Sequence, residues 1–168
     1  IDQSAGTAST WNLTDSVTTS ASGTVNLTVL SSNTGNNVAG FTTSGVATLN
    51  VKVVDSANDA ASASAFNVSG LAGLTTVNVA SSSVAGTTAD TLTLSGLAST
   101  TKVGINTNGQ YQNVSLAGAD WTGASDVLNL TVTGRSGAVS LTTGIETLNI
   151  VGGTGGRLTS LNSAVTPT

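Results

Sequence analysis

Gly45-Val46-Ala47-Thr48-Leu49-Asn50-Val51 recurs as Gly73-Leu74-Thr75-Thr76-Val77-Asn78-Val79 and again as Gly144-Ile145-Glu146-Thr147-Leu148-Asn149-Ile150. The shared template is Gly, aliphatic, any residue, Thr, aliphatic, Asn, aliphatic. Period-two alternation sends the aliphatics at the fifth and seventh places to one face of a strand and the Asn to the other. The leading Gly permits φ > 0 where the strand begins. If the copies stack, equivalent Asn side chains can form an amide ladder.

The same apolar-polar-apolar triplet runs through the rest of the chain. It occurs at Val25-Asn26-Leu27, Phe66-Asn67-Val68, Leu92-Thr93-Leu94, Val103-Gly104-Ile105, Val114-Ser115-Leu116, Leu128-Asn129-Leu130 and Val139-Ser140-Leu141. Gly, Ser, Asn and Thr clusters, which are turn material, separate the triplets. The reading is all-β: a degenerate parallel β-solenoid with two triplets per coil and roughly 20–26 residues per coil. An antiparallel β-sandwich is the alternative, because the spacing also suits hairpins. The expected core comprises Leu49, Val51, Phe66, Val68, Val77, Val79, Leu92, Leu94, Val114, Leu116, Leu128, Leu130, Leu148 and Ile150. Residues 45–168 form the repetitive region. Residues 1–44 are looser and read as an irregular lead-in or cap, or as part of a neighbouring module. A second repeated element pairs Ala89-Asp90-Thr91-Leu92-Thr93-Leu94-Ser95-Gly96 with Ser125-Asp126-Val127-Leu128-Asn129-Leu130-Thr131-Val132-Thr133-Gly134, with Asp opening the strand and Gly closing it.

Composition narrows the function. The 168 residues carry 7% charged and 3% aromatic side chains, and Ser and Thr make up close to a third. There is no His, Cys or Met, which removes imidazole and thiolate chemistry, disulfides and soft-metal sites. Four basic against eight acidic residues leave no footprint for nucleic acid. A mean hydropathy of +0.24 with a net charge of −4 argues against disorder. No apolar run is long enough for a membrane-inserted helix.

The Gly-Ile-Glu-Thr-Leu-Asn-Ile segment at 144–150, together with the Asp-x-Leu-x-Leu strands, resembles the repetitive body of RTX-type S-layer proteins of Gram-negative bacteria and related large secreted surface proteins. The resemblance covers about residues 45–155. It implies a β-rich, acidic, Cys-free protein at the extracellular bacterial cell surface. Such a protein is often calcium-stabilised and self-assembling, with other copies of itself and the rest of a longer parent chain as its partners. The RTX calcium repeat itself is Gly-Gly-x-Gly-x-Asp-x-aliphatic-x. The nearest match is Gly152-Gly153-Thr154-Gly155-Gly156-Arg157-Leu158-Thr159-Ser160, where Arg157 stands in the Asp place and argues against calcium there.

Calcium needs several oxygen ligands. Asp55, Asn58 and Asp59 are the densest set and the candidate metal ligands, against the competing reading of a solvated turn. Asp120 and Asp126, flanking Trp121, form a second and thinner cluster. Either acid pair would have to sit about 5–10 Å apart for glycoside hydrolysis. Yet sugar-cleaving sites draw on aromatics and bases, and only Trp11, Tyr111 and Trp121 are Trp or Tyr. The chain therefore reads as no enzyme and as having no organic cofactor. Thr91/Thr93 and Thr131/Thr133 are two Thr-x-Thr pairs at uneven spacing, too few for an ice-matched lattice. The expected function is a structural module of a secreted, self-assembling cell-surface (S-layer) protein. The alternative is a segment of a large bacterial adhesin binding a glycan or protein, which should show an aromatic surface patch.

Overall fold

A computed structural model describes residues 16–31, 37–38, 42–55, 63–81, 90–107, 112–142 and 144–163. Among them there is no helix. The strands are β1 (Ser16–Ser31), β2 (Asn37–Val38), β3 (Thr42–Asp55), β4 (Ala63–Asn67), β5 (Thr76–Ser81) and β6 (Asp90–Leu97), followed by β7 (Lys102–Asn106), β8 (Gln112–Gly118), β9 (Val127–Val132), β10 (Arg135–Leu141), β11 (Thr147–Gly152) and β12 (Arg157–Ser163).

Consecutive strands alternate between two six-stranded sheets. Sheet A has the order β1-β3-β5-β7-β9-β11, and sheet B the order β12-β10-β8-β6-β4-β2. The pairing throughout is parallel. Neighbouring triplets thus never form a hairpin, and each coil gives one strand to each sheet. The fold is a parallel β-solenoid, and the sandwich alternative falls. Side chains hydrogen-bonded between equivalent positions of successive coils lie 20, 24 and 28 residues apart. The coil length therefore varies more than the 20–26 expected, and the loops between strands absorb the difference.

The template glycines lie near the strand starts, Gly45 within β3 and Gly73 and Gly144 three residues ahead of β5 and β11. Gly45, Gly73 and Gly144 have φ of 78°, 88° and 110°, a region costly to residues with a Cβ. In the second element, Gly96, the next-to-last residue of β6, and Gly134, between β9 and β10, have φ of 76° and 75°. That element is not one structural unit used twice: Asp90 opens β6 in sheet B, whereas Asp126 lies just before β9 in sheet A. The Thr-x-Thr pairs are split in the same way, with Thr91 and Thr93 in sheet B and Thr131 in sheet A. The segment ahead of Gly45 contributes β1, which pairs with β3 through two register shifts around Gly23.

The inward faces of both sheets meet in one core, aliphatic apart from Phe66 and Trp121. Stacking is in register. Val25, Leu49, Val77, Val103 and Leu130 form one column in sheet A, and Phe66, Leu94, Leu116 and Leu141 form one in sheet B. Twelve of the fourteen expected core residues are buried. Leu148 and Ile150 correct that expectation: Leu148 is half-buried and Ile150 is 47% exposed. Their alternation is right, but β11 is the last strand of its sheet, and no described coil covers it.

Candidate functional site

The outer face of sheet A carries the ladder implied by the template. Asn50 Nδ2 donates to Asn26 Oδ1 at 2.8 Å, and Asn78 Nδ2 donates to Asn50 Oδ1 at 2.9 Å. Further along, Asn149 Nδ2 donates to Asn129 Oδ1 at 3.0 Å. The polarity is constant, with each later coil donating to the earlier one. Each bond contributes on the order of 0.5–1.5 kcal/mol.

The ladder breaks between Asn78 and Asn129. Asn78 is in register with Gly104, which has no side chain to continue it. Asn129 does not restart the column, because β9 is slid two residues along β7, so that Asn129 faces Lys102 and Thr131 faces Gly104. A two-residue slide preserves which side chains point inward, so the core is undisturbed. At the break lies a groove of about 490 Å³ lined by Thr76, Asn78, Ala80, Lys102, Gly104, Asn106, Thr131 and Thr133, together with Val79, Val103 and Ile105. Asn78 Oδ1 reaches into the gap, 2.5 Å from where a Cβ on Gly104 would stand. No described residue donates to it.

The second feature is the C-terminal end. β11 and β12 are the last strands of sheets A and B, and Ile150, Val151 and Leu161 on them are 47%, 60% and 37% exposed. A sheet's outermost strand presents unpaired backbone groups, which soluble proteins usually guard with charge or Pro. β11 carries neither, and Arg157 is the only charge on β12. The opposite end differs: Val25 and Leu27 of β1 are only 5% and 1% exposed. The Gly152–Gly156 segment is a turn joining β11 to β12. Gly153 N–H donates to Val132 O at 2.8 Å, and Arg157 N–H donates to Gly134 O at 2.8 Å, which seats this turn on the preceding coil.

Of the candidate calcium ligands, Asp55 is the last residue of β3, with its backbone in register with Ser31. Asn58 and Asp59 lie outside the described residues. The thinner acidic pair is committed to backbone. Asp120 Oδ1 accepts from Ser99 N–H at 2.9 Å, and Asp126 Oδ2 accepts from Gly123 N–H at 2.8 Å. Glu146 Oε2 accepts from Asp126 N–H at 2.8 Å, while Glu146 N–H donates to Asp126 O. The Asp120–Ser99 and Asp126–Glu146 bonds tie one coil to the next, while the Asp126–Gly123 bond closes a turn within one loop. Among the described residues, no group of three or more carboxylates is placed to hold a metal ion.

Trp121 plugs the core at 4% exposure, its ring packed onto Gly118 and its carbonyl onto Gly144. It is therefore not a surface aromatic. Trp11 and Tyr111 lie outside the described residues. The groove around Gly104 and Lys102 was missed as a site by sequence reasoning. Its signal was present, since Gly104 is the one triplet centre without a side chain. Comparison with protein-family models, curated proteins and solved structures finds no match.

Proposed function

We propose that this chain is a structural module of a secreted, self-assembling bacterial surface layer, acting through contacts between copies and with the rest of a longer chain rather than through turnover. The observation that carries the reading is the exposure of Ile150, Val151 and Leu161 on β11 and β12, the outermost described strands of the two sheets. Apolar burial contributes about 25 cal/mol per Å², and unpaired strand edges add directional hydrogen bonds. A surface poor in charge supports close packing, because few ions must be desolvated when copies meet. The S-layer assignment rests on the Gly-Ile-Glu-Thr-Leu-Asn-Ile resemblance, and calcium on Asp55, Asn58 and Asp59. Electron microscopy of the purified protein with and without calcium tests the reading. Ordered sheets or filaments that vanish in an Ile150→Asp, Val151→Asp double variant are expected. A monodisperse monomer at high concentration in both conditions overturns it.

A further inference from the structure

We infer that the groove over Gly104 on the outer face of sheet A binds a carboxylate-bearing saccharide. The inference is independent of assembly through the chain's end.

The groove asks for a ligand that can both donate and accept. Asn78 Oδ1 projects into it, exposed and without a donor among the described residues, so it is open to an O–H or N–H from a ligand. Thr131 lies across the gap on the other side of Gly104. Its hydroxyl both donates and accepts, as a sugar hydroxyl does. The Asn106 amide and the Thr76 and Thr133 hydroxyls widen the same set.

Charge selects the anion. The chain is acidic overall, yet Lys52 and Lys102, its only lysines, both lie exposed on the outer face of sheet A. The outward positions of β3, β5, β7 and β9 carry no carboxylate. Lys102 lines the groove two residues from Gly104 and has no ion-pair partner among the described residues. A lone ammonium matches a singly charged carboxylate. Phosphate and sulfate recognition more often draws on a guanidinium fork or several cations.

Strand topology disfavours a peptide. β5, β7 and β9 are central strands with neighbours on both sides, so an incoming main chain finds no open edge to extend. A saccharide needs none, because it binds through side chains on the face.

Calorimetric titration with tetragalacturonate tests the inference, beside a neutral tetrasaccharide and poly-glutamate. Tetragalacturonate is expected to bind more tightly than either, with an affinity that falls as salt is raised. Gly104→Asn restores a side chain to the gap, and Gly104 is not held at positive φ. It should weaken binding at least tenfold. Thr131→Gln fills the same space from an exposed position and should do likewise should Gly104→Asn fold poorly. Lys102→Gln should reduce the affinity to that for the neutral sugar. Absence of tetragalacturonate binding, equal binding of poly-glutamate, or unchanged binding by a folded groove-filling variant overturns the assignment.

Discussion

Ile150 stands in register on Leu130, one strand further along sheet A, yet Leu130 is 1% exposed and Ile150 47%. The two share an inward position, but Leu130 has a described strand on both sides and Ile150 on one. Leu130→Ala should therefore cost about 2–5 kcal/mol, the range for a buried Leu whose site cannot collapse. Ile150→Ala should cost less than about 1 kcal/mol in the dispersed chain, since much of its surface already meets water. Urea denaturation of both variants, with Thr131→Ala as a surface control, checks the contrast. Equal losses would mean that Ile150 is covered in solution.

The amide ladder makes a graded prediction. Asn50 both donates to Asn26 and accepts from Asn78, whereas Asn149 makes a single ladder bond. At about 0.5–1.5 kcal/mol per bond, Asn50→Ala should lose about 1–3 kcal/mol and Asn149→Ala about half as much. Denaturant midpoints at constant slope read the difference. A ladder held only by the strands beneath it would leave both variants near wild type.

How far the sequence reached follows from which interactions are local. In-and-out alternation within a strand is set by the pleat, so the Leu49, Val51 and Leu128 assignments and the outward Asn residues were legible. Positive φ at Gly45, Gly73 and Gly144 was legible because each precedes an alternating run at the same offset. Which coil meets which is a property of stacking. The two-residue slide that sets Asn129 against Lys102 preserves the alternation and so leaves no trace in it. The opposite sheets of Asp90 and Asp126 are hidden for the same reason, as both strands read Asp-x-Leu-x-Leu. The exposure of Ile150 follows from its place on the last described strand of sheet A, which no local pattern encodes.

Gly144 and Gly73 hold the same template position but differ in surroundings. A Cβ on Gly144, at φ 110°, would overlap the Trp121 carbonyl oxygen, whereas one on Gly73, at φ 88°, would meet nothing closer than Val46 O at 3.8 Å. Gly73→Ala should carry only the backbone strain, on the order of 1–2 kcal/mol. Gly144→Ala should cost clearly more, because the Trp121 loop must also move. Thermal melts of the two variants decide it, and equal shifts would show that the loop yields freely.

Trp121 presents a buried indole N–H with no hydrogen-bond partner among the described residues. Leaving such a donor unmet costs about 1–3 kcal/mol. Trp121→Phe removes the donor along with some ring contact, so its net effect should stay within about 1 kcal/mol of wild type. Trp121→Ala empties the site between Gly118 and Gly144 and should cost about 3–5 kcal/mol. A Phe variant as unstable as the Ala variant would reveal a partner for the indole nitrogen, such as a bound water.

The acidic residues separate by what already occupies their oxygens. Asp120 Oδ1 holds Ser99 N–H on the neighbouring coil, so its contribution needs no ion. Asp120→Ala should lower the melting temperature equally in calcium and in chelator. Asp59, with Asp55 and Asn58, is the set proposed to hold calcium. An ion that binds only the folded chain stabilises it by mass action. Asp59→Ala should then lower the melting temperature in calcium and leave it unchanged in chelator. Differential scanning calorimetry of wild type and both variants at matched ionic strength gives the comparison. Equal losses for Asp59→Ala in the two buffers would assign Asp59 to a turn and leave calcium without a ligand set in this chain.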